Sequence, residues 1–214
     1  MEKYIEQILP EETGFAAEMR LTAEQERIPI LRRDSAALLR VLTRMHRPAR
    51  ILEVGTAIGY SAFLMVSVLR TPPHIDTVEI DPDMVCRARR NFTQGGVSGC
   101  IRVINGDAAE VLPALQHPYD MIFLDGAKGQ YLRLYEEIRR LLNPEGLLVC
   151  DNCIFYGKIN TAPEAAPHKH RTIIANMREF LQRLTSDPEF QTVVLEAGDG
   201  MAVAVRTGRK EQPL

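Results

Sequence analysis

Acidic and amide side chains recur directly at the ends of apolar runs in this chain: Glu79 in Ile75 to Ile80, Asp107 after Ile101 to Asn105, Asp125 after Met121 to Leu124, and Asp151-Asn152 after Leu147 to Cys150. An isolated carboxylate in such a place commonly caps a helix. Several gathered at one edge of one sheet need a counter-ion. Asp125, Asp151 and Asn152 offer three hard oxygen donors with no histidine or thiolate beside them, which is the preference of Mg2+ or another oxygen-loving divalent ion rather than zinc. Lys128 lies three positions past Asp125. Beside a cation and partly buried, its amine gives up a proton more readily and becomes a candidate base. The plainer alternative is a solvated surface lysine.

A second constellation is the run Ile51-Leu52-Glu53-Val54 leading into Gly55-Thr56-Ala57-Ile58-Gly59-Tyr60-Ser61, an apolar strand, a glycine-paired turn and the start of a helix. The glycines are spaced G-x-x-x-G, and the G-x-G-x-x-G that lets a backbone approach a pyrophosphate is absent from this turn. That argues against NAD. A cofactor with ribose and adenine but no phosphate fits better, and Glu79, twenty positions after Gly59, is placed to accept both ribose hydroxyls. The pair suggests S-adenosylmethionine.

These residues need a scaffold that brings strand ends together. From residue 50 onward apolar strands alternate with helical segments, the pattern of a parallel sheet covered on both faces. The expected strands are Arg50 to Val54, Ile75 to Ile80, Ile101 to Asn105, Met121 to Leu124 and Leu147 to Cys150. Asp81-Pro82-Asp83 opens a helix that stops near Gly95-Gly96. Tyr131 to Leu142 repeats the helical period, and Asn143-Pro144-Glu145-Gly146 breaks it. Phe190 to Leu195 and Met201 to Val205, separated by residues 196–200, read as a hairpin, which forces an antiparallel strand into the sheet. Ligands of such sheets bind beyond the carboxyl ends of the strands, where the acidic motifs fall.

With 214 residues, 45% of them hydrophobic, the chain is expected to form one domain, with a helical segment over 1–49, a core over 50–206 and a flexible tail over 207–214. The net charge of -2 provides no global attraction for nucleic acid or anionic membrane. Locally, residues 20–50 hold eight arginines, either a face for a polyanion or a solvated helix. No apolar run approaches the ~20 residues that span a bilayer, and a cytoplasmic protein with no membrane partner is expected. Cys86, Cys100, Cys150 and Cys153 do not read as a disulfide framework, and the Cys150/Cys153 pair reads as packing.

Over about residues 27–206 the chain resembles the class I S-adenosylmethionine-dependent O-methyltransferases of the metal-dependent catechol and caffeoyl-coenzyme A type. The resemblance rests on Glu53 through Ser61, Val78-Glu79-Ile80-Asp81, Gly106-Asp107-Ala108, Phe123 through Lys128, and Asp151-Asn152. It implies a Rossmann-like α/β fold with a seven-stranded, mostly parallel sheet closed by a C-terminal antiparallel hairpin. It implies Glu79 on ribose, Asp107 and Ala108 near adenine, and metal ligation by Asp125, Asp151 and Asn152. Within the family the chain is similar to bacterial tRNA 5-hydroxyuridine methyltransferases, through Ile28 to Leu31, the turn from Gly55 to Ser61, Lys128-Gly129-Gln130-Tyr131, and Asp151-Asn152 followed by Phe155 and Gly157. That subgroup implies Ile30 and Ser61 over the methionine end of the cofactor. The cofactor set carried forward is Ile30, Glu53, Gly55, Gly59, Tyr60, Ser61, Glu79, Asp107, Ala108 and Asp125, with Lys128 as catalytic base.

Three functions stay open. A methyl acceptor with two adjacent oxygens suits the expected metal, and both a catechol and the 5-hydroxyl and 4-carbonyl of 5-hydroxyuridine in tRNA provide them. Lys158, His168, Lys169, His170 and Arg171 form a cationic rim that favours phosphates, or else the solvated start of a helix. A nucleoside-binding scaffold without catalysis is the third. The family implies a homodimer.

Overall fold

The computed structural model describes residue 4 and residues 7–126, 128–155, 157–162 and 167–208, apart from the side chains of Lys128 and Lys169. Helices α1 (Phe15–Glu26) and α2 (Arg33–His46) precede a regular alternation. Strand β1 (Arg50–Val54) is followed by α3 (Tyr60–Ser67), β2 (His74–Glu79), α4 (Pro82–Gln94), β3 (Ile101–Asn105), α5 (Ala108–Ala114) and β4 (Tyr119–Leu124). A 3-10 turn (Lys128–Gln130) leads into α6 (Tyr131–Leu141) and β5 (Leu142–Cys150), and α7 (His168–Ser186), β6 (Phe190–Leu195) and β7 (Met201–Arg206) close the chain.

The seven strands lie in the order β3-β2-β1-β4-β5-β7-β6. β1 pairs in parallel with both β2 and β4, so the chain reverses its direction of winding at β1 and opens a crevice beyond its carboxyl end. β7 runs antiparallel to β5 and to β6, as the hairpin pattern predicted. The sheet is apolar on both faces. Ile51, Met121, Phe123 and Val149 belong to the core on one side, beneath α1 to α4, while Leu52, Ile122, Leu124 and Leu148 pack on the other against α5, α6 and α7. All eight are less than 5% exposed, which explains why the strands read as continuous apolar runs.

Local chemistry sets the ends of the elements. Asp81 accepts from the backbone N–H groups of Asp83 and Met84, and Pro82 fills the first turn of α4, where its missing N–H is harmless. Three of the boundaries that differ from the sequence pattern have visible structural consequences. β2 ends at Glu79, leaving Ile80 65% exposed beyond it. β4 begins at Tyr119, whose hydroxyl donates to the buried Asp76 at 2.7 Å. β5 begins at Leu142 because Leu142 pairs with Tyr119, and the expected breaker Asn143 to Gly146 bulges out before Leu147 pairs with Met121. The hairpin loop also has a positioning role. Gly200 and Asp199 carbonyls accept from the N–H groups of Cys153 and Ile154, holding the segment after Asp151-Asn152 against the sheet.

Among the described residues no helix is long and apolar enough to cross a membrane. All four cysteines are free, with Cys150 and Cys153 fully buried.

Candidate active site

A cavity of 530 Å³ opens at the carboxyl ends of β1, β2, β3, β4 and β5. Its wall brings together Ile30, Gly55, Tyr60, Ser61, Glu79, Asp107, Ala108, Asp125, Asp151 and Asn152 from the expected set, along with Pro29, Leu31, Thr56, Ala57, Ile80 and Gln130. Residues 29–31, which link α1 to α2, cover it from above the sheet edge.

Its β1–β2 side is built from backbone donors around one carboxylate. Gly55 adopts φ +97°, and a Cβ there would lie 2.7 Å from the Asp125 carbonyl oxygen, so only glycine lets this turn close on β4. The turn then aims the N–H groups of Thr56 and Ala57 at Glu79 Oε2, at 3.1 and 2.8 Å, while Asp81 N–H donates to Oε1 at 2.9 Å. Glu79 is thereby fixed, and because each carboxylate oxygen has two lone pairs, it retains acceptor capacity for a ligand. Asp107 caps α5 with Oδ1, which accepts from Ala109 N–H at 2.9 Å. A ribose diol and an adenine edge both match this side of the cavity.

Its β4–β5 side carries the proposed metal donors. Asn152 Nδ2 lies 3.5 Å from Asp125 Oδ1 and donates to Asp151 Oδ2, so residues from two adjacent strand ends converge within one hydrogen-bond radius. Asn152 takes φ +61°, a left-handed conformation that asparagine tolerates better than most residues and that turns its side chain out of the strand line. Among the described residues no group of three His, Cys, Asp or Glu side chains forms a metal site. Two carboxylates and an amide oxygen nevertheless suit a hard divalent cation, for which the amide would rotate its carbonyl toward the ion. Tyr131, fully buried, donates to the carbonyls of Leu124 (3.0 Å) and Asp151 (3.3 Å) and clamps the two strand ends together. Lys128 continues the same loop, but its side chain lies outside the described residues.

A family model described as O-methyltransferase matches residues 8–207, nearly the whole chain. The chain belongs to the O-methyltransferase family. It is 30% identical over 181 residues to a catechol O-methyltransferase of Niastella koreensis, covering 80% of each chain. A Staphylococcus aureus protein provisionally described as a caffeoyl-CoA O-methyltransferase superposes with a TM-score of 0.87 at 29% identity, over 95% of this chain and 98% of that one. An SAH-bound methyltransferase of Podospora anserina gives 0.83 at 25% identity, over 95% and 92%.

Two members of the expected cofactor set lie outside the cavity wall of this O-methyltransferase. Gly59, at φ +86°, faces α4: a Cβ there would come 2.4 Å from the Phe92 ring. Glu53 is fully buried beneath the turn, where it accepts from Ser61 Oγ and Thr77 Oγ1, each at 2.5 Å. Burial raises its pKa to about 7 despite those two hydrogen bonds, and the Glu79 charge adds to the rise. Both residues support the turn from behind.

The O-methyltransferase also uses residues that motif reading did not single out. Arg20 of α1 donates to Glu12 at 2.8 Å, to the Leu31 carbonyl at 3.2 Å and to the Tyr60 hydroxyl at 2.6 Å, with its guanidinium 5.0 Å from the Tyr60 ring centroid. Since Leu31 and Tyr60 both line the cavity, this cluster ties the leading segment to the cavity wall. Arg20 therefore faces inward rather than forming part of a basic surface. Arg33 is half-buried and reaches the Leu9 carbonyl, whereas Arg44 is exposed and meets the Val68 carbonyl at 3.5 Å. Glu12 carries no periodic or motif signal and Arg20 reads in sequence only as one of the arginines of residues 20–50; their pairing in space reveals the cluster.

Proposed function

We propose that this enzyme transfers the methyl group of S-adenosylmethionine to an oxygen of 5-hydroxyuridine in tRNA, with Mg2+ held by Asp125, Asp151 and Asn152. The observation that carries the methyl transfer is the single cavity shared by Glu79, Gly55 and the Asp125/Asp151/Asn152 cluster. S-adenosylmethionine, when bound, supplies an electrophilic methyl on a sulfonium, and Mg2+ makes the acceptor hydroxyl more acidic and orients two adjacent oxygens.

The chain's own residues do the rest. Glu79 accepts from the ribose hydroxyls, and Asp107 and Ala108 border the adenine. Ile80, exposed at the cavity mouth, gains apolar contact with a base laid over it. Ile30, Tyr60 and Ser61 enclose the methionine end, and Asp125 borders both ligands. Lys128 takes the acceptor's proton. Orientation of the two reactants in one enclosure provides a large part of the acceleration.

The acceptor assignment is supported by the start of α7. His168, Lys169, His170 and Arg171 occupy its first turn with no acidic residue among them and no side-chain cap. The lysine and arginine charges at this helix N-terminus oppose its dipole, and a phosphate backbone nearby relieves that repulsion. Phe155 beside them meets His170 edge-on at 5.3 Å and lies 5.3 Å from Lys158 Nζ. A small catechol has no use for this rim, although the Niastella koreensis relative keeps the catechol reading as the second one. We also propose a cytosolic homodimer, for which the edge strand β6 exposes Val193, Val194 and Leu195.

The test is labelled methyl transfer from S-adenosylmethionine to tRNA carrying 5-hydroxyuridine, beside a catechol panel and across a salt series. Salt-sensitive transfer to the tRNA is expected. Transfer only to catechols refutes the tRNA reading.

A further inference from the structure

Arg20 of α1 gathers three pieces of chain that the sequence keeps apart. Its Nε and Nη2 donate to the two carboxylate oxygens of Glu12, at 2.8 and 3.1 Å, shortly before α1 begins. Nη2 also donates to the Leu31 carbonyl at 3.2 Å, beyond the end of α1, and to the hydroxyl of Tyr60, the first residue of α3, at 2.6 Å. That hydroxyl donates in turn to Glu12, so the three side chains form a closed circuit. With the Arg20 and Glu12 side chains only 14% and 10% exposed, these charge-assisted bonds are largely shielded from water and hold their geometry more firmly than surface pairs do.

The circuit stands behind the cavity wall and fixes the part of it that faces a ligand. Pro29, Ile30, Leu31 and Tyr60 line the cavity, while Arg20 and Glu12 do not. Leu31 is anchored twice, by its side chain buried in the core and by its carbonyl held on Arg20. The exposed Pro29 and half-buried Ile30 therefore stand over the strand ends in a set position. A segment already held in its binding conformation spares the ligand the entropy of ordering it. On the reading above, which puts the methionine end at Ile30, Tyr60 and Ser61, we propose that Arg20 is a positioning residue for that end of S-adenosylmethionine. Acting through Leu31 and Tyr60, it preorganises residues 29–31 over the amino-acid moiety and leaves the nucleoside moiety, at Glu79 and Asp107, unaffected. Lysine does not substitute for it. A compact ammonium keeps the charge opposite Glu12 but lacks the planar fork that reaches both carboxylate oxygens, the carbonyl and the hydroxyl together.

The test is calorimetry on the full chain with two probes, S-adenosylhomocysteine and methylthioadenosine, which shares the adenine, ribose and sulfur but lacks the amino acid. Arg20→Lys is expected to weaken S-adenosylhomocysteine about tenfold or more and to keep methylthioadenosine within about twofold. Tyr60→Phe removes one hydroxyl of the circuit and retains the ring; it should weaken S-adenosylhomocysteine alone, by about threefold, and it decides the matter if Arg20→Lys does not fold. Urea denaturation of the ligand-free variants provides the contrast, since a merely structural role lowers the midpoint without changing the ratio of the two affinities. An unchanged ratio, including equal weakening of both probes, overturns the role of Arg20. Ile30→Ala separates that failure from failure of the underlying placement. It removes a wall contact directly and should weaken S-adenosylhomocysteine alone, by about fivefold or more. If it shifts the ratio and the other variants do not, Arg20 falls alone; if none of the three shifts it, the placement of the methionine end falls too.

Discussion

Ser61 Oγ donates to Glu53 Oε1 at 2.5 Å, joining the cavity wall to a carboxyl fully enclosed beneath it. Thr77 Oγ1 donates to the other oxygen and meets Thr56 Oγ1 at 2.6 Å, so three hydroxyls and one carboxyl form a polar chain under the glycine turn. Loss of a member of this chain leaves buried groups unpaired directly below the glycine turn of the cavity.

Glu53 makes stability depend on pH in a predictable direction. Burial holds its pKa at about 7 against an ordinary 4.5, so the folded protein keeps a proton that the unfolded chain releases. Its stabilising contribution is therefore complete below pH 4.5 and lost as pH rises through 7. In Glu53→Gln that dependence disappears, and the stability of the variant relative to wild type should rise by about 2 kcal/mol between pH 5 and pH 8. Urea denaturation at the two pH values checks it; a constant difference means the carboxyl titrates normally.

Gly59 packs against Phe92 and lies outside the cavity wall. Gly59→Ala should destabilise the fold by about 1–3 kcal/mol, through its positive φ and the clash with Phe92, yet leave S-adenosylhomocysteine affinity within about threefold where the protein is folded. Phe92→Leu in the same chain should recover part of the loss. A large affinity loss with normal stability would return Gly59 to the binding site.

At the opposite end of the strands, Asp76 accepts from Arg102 Nε and the Tyr119 hydroxyl, both at 2.7 Å, with His74 3.2 Å away. Burial by itself raises its pKa, but the Arg102 and Tyr119 hydrogen bonds and the Arg102 and His74 charges outweigh it and hold the carboxyl below 3.8. Its contribution is thus present above that pH and lost as pH falls through the lowered value. Asp76→Ala should cost about 2–4 kcal/mol at pH 7 and spare methyl transfer at permissive temperature. Lost turnover in fully folded protein would tie this cluster to the site.

Removal of divalent ions should abolish methyl transfer and leave S-adenosylhomocysteine binding largely intact, since Glu79 and Asp107 do not depend on the metal. Full activity in EDTA sinks the cation site. Lys128→Ala is expected to lower turnover about 100-fold or more, the usual contribution of a general base. A change within about threefold assigns the proton to another group.

Much of this molecule is legible in local sequence because the sheet is buried on both faces. Met121 to Leu124 is a continuous apolar run for that reason, Ile51 to Val54 is broken only by Glu53, and the ends of β4 and β5 are marked by the Asp125 and Asp151 carboxylates that follow them. The Asp81-Pro82 cap, the turn at Gly55 and the closing hairpin are equally local, fixed by backbone conformation over a few residues. The β5 start was not legible: residues 143–146 have the chemistry of a breaker, and only pairing of Leu142 with Tyr119 makes them a bulge within a strand.

Sequence therefore determined the fold, the order of strand ends and the residue types that face the cavity. Tertiary structure decided that Gly55 lines the cavity while Gly59 packs on Phe92, that Glu53 supports the turn from below, and that Glu12 and Arg20 tie the leading segment to Tyr60. The physical reason is range: caps, turns and periodicity act over a few residues, whereas these contacts join positions up to 48 apart that meet only when helices pack on the sheet.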